Sequence, residues 1–205
     1  MRLTRYRHAI RWPLYRLPRP WRIAVDWLAT LGIAALLVLV LETEVAKPYR
    51  IPTSSMEPTL HCAVPGPGCL GKSSDRVIAA KAVYLFRSPA RGDIVVFKAP
   101  PRAKRQCSEG GTFVKRIIGL PGERVSEQRG IFYVDGRRLI ERYVDPSRRD
   151  RLTRSWPRIP AHSYFVMGDN RVDSCDSRDW GTVPRRNLIG PVDATYWPVG
   201  RLGFR

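Results

Sequence analysis

Ser55 and Lys115 are the residues of this chain whose types and surroundings could do covalent chemistry together. A serine hydroxyl is a weak nucleophile until a base removes its proton. The three histidines, His8, His61 and His162, lie in no segment that resembles a hydrolase base. Lys115 sits in the run Thr112-Phe113-Val114-Lys115-Arg116-Ile117-Ile118, where apolar neighbours would strip water from the amine and disfavour its ammonium form. Ser55 lies in Ile51-Pro52-Thr53-Ser54-Ser55-Met56-Glu57-Pro58-Thr59-Leu60, just beyond an apolar run. Taken singly, a loop serine and a snorkelling or paired lysine are commonplace. Together they set a Ser/Lys hydrolase as the reading to test.

A third stretch, Met167 through Pro184, is dense in polar groups yet bounded by apolar, strand-like runs. Its alternating acids could suggest a cation loop, but Arg171 and Arg178 among them would repel a metal. Pairing of aspartates with arginines, as a support around the lysine, is the better reading. No metal, nucleotide or organic cofactor is expected.

These residues need elements to position them. The apolar run Ile23 to Leu41 is about 19 residues long, enough to cross a bilayer, and no small-x-small cleavage site follows it. The first 22 residues hold seven arginines and no acid, while Glu42 and Glu44 follow the run, so the positive-inside rule puts the N-terminus in the cytoplasm. The expected organisation is a basic cytoplasmic tail over 1–22, a transmembrane helix over 23–42 and an extracytoplasmic domain over 43–205. Pro13, Pro18 and Pro20 argue against a long regular helix in the tail. Net charge is +18, and beyond residue 22 there remain 29 basic against 18 acidic residues, or +11. Such basicity suits anionic lipid or nucleic acid; the anchor favours lipid.

Beyond Lys47-Pro48 the chain reads as mainly β, with runs at Asp75–Phe86, Asp93–Lys98, Phe113–Leu120, Ile131–Val134, Tyr164–Met167 and Asp193–Trp197. Asp135-Gly136 between Ile131–Val134 and Arg137–Ile140 is a hairpin signal, because both residues tolerate positive φ. Pro146 to Pro160, rich in arginine and proline, reads as an exposed loop. A single domain with an inserted β cap over about residues 123–162 is the simplest organisation.

Four segments in order carry a resemblance: Ser54–Leu60, Arg91-Gly92-Asp93-Ile94-Val95-Val96-Phe97, Val114–Gly122, and Gly168-Asp169-Asn170-Arg171 through Asp176-Ser177-Arg178. They resemble the ordered boxes of bacterial type I signal peptidases. The resemblance implies an antiparallel, barrel-like catalytic domain behind a membrane anchor in the bacterial plasma membrane. It implies cleavage of exported preproteins after a small residue at an Ala-x-Ala boundary, near anionic phospholipid and the secretion translocon, with no nucleic acid involved. Ser55 matches the nucleophile and Lys115 the general base. The Ser55 N–H and Thr53 hydroxyl match oxyanion donors. Ser174 matches the hydroxyl that holds the lysine amine, Asp176 and Arg178 a supporting ion pair, and Arg116 with Asp169 another. Ile51, Pro52, Met56, Leu60 and Val114 match positions lining a shallow apolar pocket for the residue before the cleaved bond. Val172-Asp173 departs from the family, which usually has an acid followed by asparagine there.

Cys62, Cys69, Cys107 and Cys175 would all lie outside the cytoplasm, where disulfides persist. The Pro- and Gly-rich loop between Cys62 and Cys69 favours a local bridge, which leaves Cys107 to meet Cys175. Zinc is the alternative, but paired Cys-x-x-Cys units are missing. Two other classes fit parts of the chain. A membrane-tethered nucleic-acid binder would use the arginines, yet these are scattered and no nucleic-acid motif is present. A non-catalytic scaffold has no need of both Ser55 and Lys115. Self-cleaving repressors of the SOS response share a Ser/Lys dyad, but lack a membrane span.

Overall fold

The computed structural model describes residues 18–40, 46–107 and 110–204 and divides into two units, Met1–Thr43 and Glu44–Arg205. Most of the basic tail and the boundary at residue 43 therefore lie outside the described residues. In the first unit, helix α1 spans Arg19–Val40. It begins four residues before the apolar run, because Pro20 falls in the first turn, where a missing N–H costs nothing. The Pro18 carbonyl accepts from the Trp21 and Arg22 amides and starts the helix. Large apolar side chains are exposed all round it, Leu28 to 68% and Leu36 to 62%. A water-soluble helix would bury one stripe; an all-round apolar surface long enough to span is consistent with membrane anchoring.

The second unit is built on antiparallel strands. In chain order these are β1 (Ala46–Arg50), β2 (Arg76–Ala80), β3 (Ile94–Lys98), β4 (Thr112–Gly119), β5 (Val125–Gln128), β6 (Ile131–Val134), β7 (Arg137–Arg138), β8 (Arg154–Ser155), β9 (Ser163–Met167), β10 (Val183–Pro184), β11 (Leu188–Trp197) and β12 (Gly203–Phe204). The larger sheet runs β1-β2-β11-β3-β4-β9-β10, with β12 beside β11. The smaller runs β7-β6-β5-β8 and lies in the chain between β4 and β9; it is called the cap below. Among the described residues the ends of the large sheet do not pair, so it is an open sheet rather than the barrel-like closure expected.

The period of two along β3 divides the core: Ile94 and Val96 pack with Ile51, Met56, Leu60 and Val77, whereas Val95 and Phe97 pack with Ile117, Val166 and Trp180. The register pairs Val95 with Lys115 and Phe97 with Phe113, so Lys115 lies on the same face of β4 as Phe113 and Ile117. A third apolar group, with Ile118, Val125, Phe132, Ile159 and Phe165, joins the cap to the ends of β4 and β9.

Three segments differ from the sequence reading. The run Asp75–Phe86 breaks after Ala80 into a turn and a short helix, α2 (Val83–Phe86), which buries Tyr84 and leads its hydroxyl to Asp93 at 3.1 Å. Apolarity alone cannot separate those outcomes. The last long strand starts at Leu188 rather than Asp193, because a register shift between Leu188 and Gly190 admits Gly190-Pro191. The arginine-rich segment 146–160 is no simple exposed loop: it contains β8, stacks Trp156 on Phe132 at 6.2 Å and buries Ile159. The Asp135-Gly136 hairpin forms as read, with φ of 48° and 77° at the two turn residues.

Candidate active site

Ser55 stands on a single 3-10 turn, Ser54–Met56, anchored from below and behind. Met56 is 1% exposed in the apolar core, and Asn170 holds the turn by donating its backbone N–H to the Ser55 carbonyl and its side-chain amide to the Ser54 carbonyl, both at 3.1 Å. The Ser54 hydroxyl donates to Asp173. Gly168 must be glycine here: a Cβ would meet the Ser174 hydroxyl and the Ser55 carbonyl at 2.3 Å each. The turn that carries Ser55 and the polar loop thus touch backbone to backbone. The Thr53 hydroxyl lies 3.4 Å from the Ser55 hydroxyl.

Lys115, in the middle of β4, is 5% exposed. Burying an amine this deeply removes its hydration, and nearby anions must compensate or the neutral form is favoured. A carboxylate that feels the Lys115 charge is Asp176, which caps the short helix α4 (Ser177–Trp180). Asp176 accepts from Ser174 Oγ at 2.8 Å, the Gly168 amide at 3.0 Å, and Arg178 Nε at 2.8 Å. Full burial pushes its carboxyl up, but Arg178, Lys115 and Ser174 outweigh that and hold it below the usual carboxylate range. Burial likewise opposes the Arg178 charge, yet Asp176 and Asp150 raise it further. Arg116 and Asp169 form a second buried pair, Nε to Oδ1 at 2.8 Å and Nη2 to Oδ2 at 2.6 Å. Asp169 also accepts from Thr59, and Arg116 lies 4.0 Å over the Tyr143 ring.

Two clefts meet at these groups, and Ser55 and Lys115 line both. The first, of about 400 Å³, is walled by Ile51, Pro52, Met56, Phe113 and Val114. It lies between residues 49–53 and 112–115 of β4, and β4 pairs with β9 only from Arg116 onward, leaving Thr112–Lys115 a ladder partner on the β3 side alone. The second, of about 800 Å³, is more polar and includes Gln106, Asp173, Ser174, Cys175 and Asp179. Leu60 lines neither cleft; it is fully buried beneath Met56 and Ile51 in the core.

Cys62 is bonded to Cys69 and Cys107 to Cys175. The first bridge closes a loop whose Gly66, Pro67 and Cys69 wall the polar cleft. The sequence reading assigned nothing to Glu57, which organises that loop: fully buried, it accepts from the Cys62 and Leu70 amides at 3.0 Å and pairs with His61 four residues on. Residues 57–61 form turns rather than a helix, so no helical spacing marks the pair in the sequence. Also unassigned were Glu141, which meets the buried Arg171 at 3.1 Å, and Asp150, which meets Arg178 at 2.6 Å. Both lie in the cap, far along the chain from their partners.

Comparison with known proteins adds a family. Residues 24–197 match the family model described as signal peptidase, peptidase S26. Signal peptidase I of Leptolyngbya laminosa is 40% identical over 87% of this chain and 82% of its own length. Probable signal peptidase I-1 of Synechocystis is 37% identical over 91% of this chain and 89% of its own. The crystal structure of a signal peptidase I from Enterococcus faecalis aligns with 52% of this chain and 97% of that one at 30% identity, with a TM-score of 0.44.

Proposed function

This chain belongs to the signal peptidase family, peptidase S26, and on that premise we propose that Ser55 and Lys115 cut signal peptides from exported preproteins. The observation that carries the dyad is the shared position of the two residues in both clefts, with the lysine almost fully buried. In its neutral form Lys115 takes the Ser55 proton as the hydroxyl attacks the carbonyl carbon, and returns it to the leaving amine when the tetrahedral intermediate collapses. Water, deprotonated by the same amine, then releases the acyl group from Ser55. The Ser55 N–H and Thr53 hydroxyl stabilise the oxyanion. Ser174, bridged to Asp176, orients the amine.

The smaller cleft takes the residue before the cleaved bond. Its walls of Ile51, Pro52, Met56 and Val114 are apolar and its volume modest, which favours alanine-sized side chains. An extended substrate can add to β4 along Thr112–Lys115, where the ladder is open on one side. The anchor α1 keeps this site at the membrane, with the N-terminus cytoplasmic, the domain extracytoplasmic, and anionic phospholipid and the secretion translocon close by.

The test is incubation of the full-length protein with a preprotein bearing an Ala-x-Ala boundary, reading the cut by mass. Cleavage after the second alanine is expected. Ser55→Ala and Lys115→Ala should each lower the rate at least about a thousand-fold while the fold persists. Because the reacting amine must be unprotonated, the rate should rise from acid toward mildly alkaline pH; a maximum in acid would exclude a lysine base.

A further inference from the structure

We propose that Asp150, on the inserted cap, is a positioning residue for Lys115: it clamps Arg178 from the side opposite Asp176, so that Asp176 and Ser174 are fixed beside the amine. The inference rests on the Ser55/Lys115 reading and adds to it a residue that none of the four sequence boxes contains. Arg178 is a branch point. Its Nε and Nη2 reach the two oxygens of Asp176 at 2.8 and 2.9 Å, its Nη2 also donates to the Ser174 carbonyl at 3.0 Å, and its Nη1 reaches Asp150 Oδ2 at 2.6 Å. With all three arms held, the guanidinium plane has one orientation. Without Asp150 it can pivot about Asp176, and the Ser174 backbone moves with it.

Asp150 is itself held. The Leu152 amide donates to its Oδ1 at 3.1 Å, and Arg154 on β8 lies 3.5 Å from its Oδ2. Glu127 on β5 faces it from the cap interior, buried to 1% exposure. Neither oxygen of Glu127 has a hydrogen-bond partner, Arg154 Nε lies 3.5 Å from its Oε2, and burial followed by Asp150 pushes its carboxyl up to about 8. Burial raises the Asp150 carboxyl, but Glu127, the Leu152 amide, Arg178 and Arg154 together hold it below its ordinary value. The clamp is therefore an aspartate held between Arg178, Arg154 and the Leu152 amide.

This makes the cap part of the catalytic machinery at a distance. The route from cap to amine is Asp150, Arg178, Asp176 with Ser174, and Lys115, whose charge is felt by Asp176. Of the other charged groups along the polar cleft, Asp179 joins the route by accepting from the Asp176 amide at 3.1 Å, and Asp173 accepts from the Ser54 hydroxyl. Replacing Asp150 by asparagine removes one negative charge and loosens the guanidinium. Two signatures follow. The plateau kcat should fall about 10- to 100-fold through misplacement of the amine, with KM little changed, since no cleft-lining residue is altered. The acid limb of the pH–rate profile should move to lower pH, because the uncompensated Arg178 charge disfavours the ammonium form of Lys115.

The experiment compares full-length wild type, Asp150→Asn and Asp150→Glu on the same Ala-x-Ala preprotein across pH, with Tm measured alongside. Support is a lower kcat with a downward-shifted acid limb in Asp150→Asn and an intermediate kcat in Asp150→Glu, which keeps the charge. Wild-type cleavage with an unchanged Asp150→Asn profile overturns this inference and leaves the dyad standing; so does a loss of rate with no shift of the limb, the mark of a structural role alone. No cleavage by wild type overturns the dyad and the inference together. If Asp150→Asn melts below the assay temperature, Asp150→Glu decides by itself: a severalfold lower kcat supports the clamp, and an unaltered kcat overturns it.

Discussion

Residues 146–160 and 168–180 each carry six charged side chains, yet the first stretch is mostly exposed and the second mostly buried. The difference lies in the balance of sign. The second has four aspartates to two arginines, and both arginines, Arg171 and Arg178, find carboxylates. The first has five arginines and one acid. That acid, Asp150, is the one turned to the second stretch. Burial of a charge-rich segment follows the supply of partners, because an unpaired charge in the interior costs several kcal/mol while a paired and hydrogen-bonded one does not.

The contrast breaks most visibly if a partner is withdrawn from the buried stretch. Asp176→Asn leaves Arg178 with a weakened arm in a site where it is 9% exposed, and takes a charged acceptor from Ser174 and Gly168. A loss of about 3–5 kcal/mol is expected, roughly 10 °C in Tm, together with loss of cleavage. In the exposed stretch, Arg151→Ala should stay within about 0.5 kcal/mol by the same melting measurement. Equal losses in the two variants would end the claim that pairing decides burial.

Less drastic is removal of the covalent tie between the buried stretch and the helix α3 (Pro101–Cys107). The Cys107–Cys175 bridge spans 68 residues, whereas Cys62–Cys69 spans 7. Closing the longer loop removes more freedom from the unfolded chain, so Cys107→Ser with Cys175→Ser should cost about 2–4 kcal/mol, more than the matching change at Cys62 and Cys69. Denaturant unfolding of the two double variants ranks them. A larger loss from opening the short loop would mean that folded-state packing around Glu57, rather than chain entropy, dominates.

Sequence carried some of this further than the rest. Local signals sufficed where the determinant is local: the apolar run of α1, the alternation in β3 and β4, the positive-φ pair Asp135-Gly136. Ser55 and Lys115 could be singled out because each sits in a distinctive setting, though 60 positions apart in the sequence. What escaped depends on pairs whose members carry no mark of each other. Asp150 looks like one acid in an arginine-rich loop until Arg178 is folded against it, and Leu60 looks like a pocket residue until the core closes over it. The break after Ala80 was hidden because apolar side chains serve a strand and a short packed helix equally.

Smallest, and sharpest as a test of the cap's inner side, is the titration of Glu127. Burial, and the hydrogen bond and charge of Asp150, push its carboxyl up to about 8, against the opposing pull of Arg154 and Arg178. An acid whose folded value lies above its unfolded one favours the folded state fully below its ordinary range, near 4.5, and loses that contribution as pH rises through about 8. Wild-type stability should therefore decline between about pH 5 and 8 by a share that belongs to this one group. Glu127→Gln keeps a donor for Asp150 and has no proton to lose, so its Tm should fall less steeply over that interval and exceed wild type on the alkaline side. Melting curves in matched buffers from pH 5 to 9 read the difference in slope. Parallel curves would mean that Glu127 is already ionised at neutral pH, and that Arg154, 3.5 Å away, pairs with it strongly enough to replace the proton.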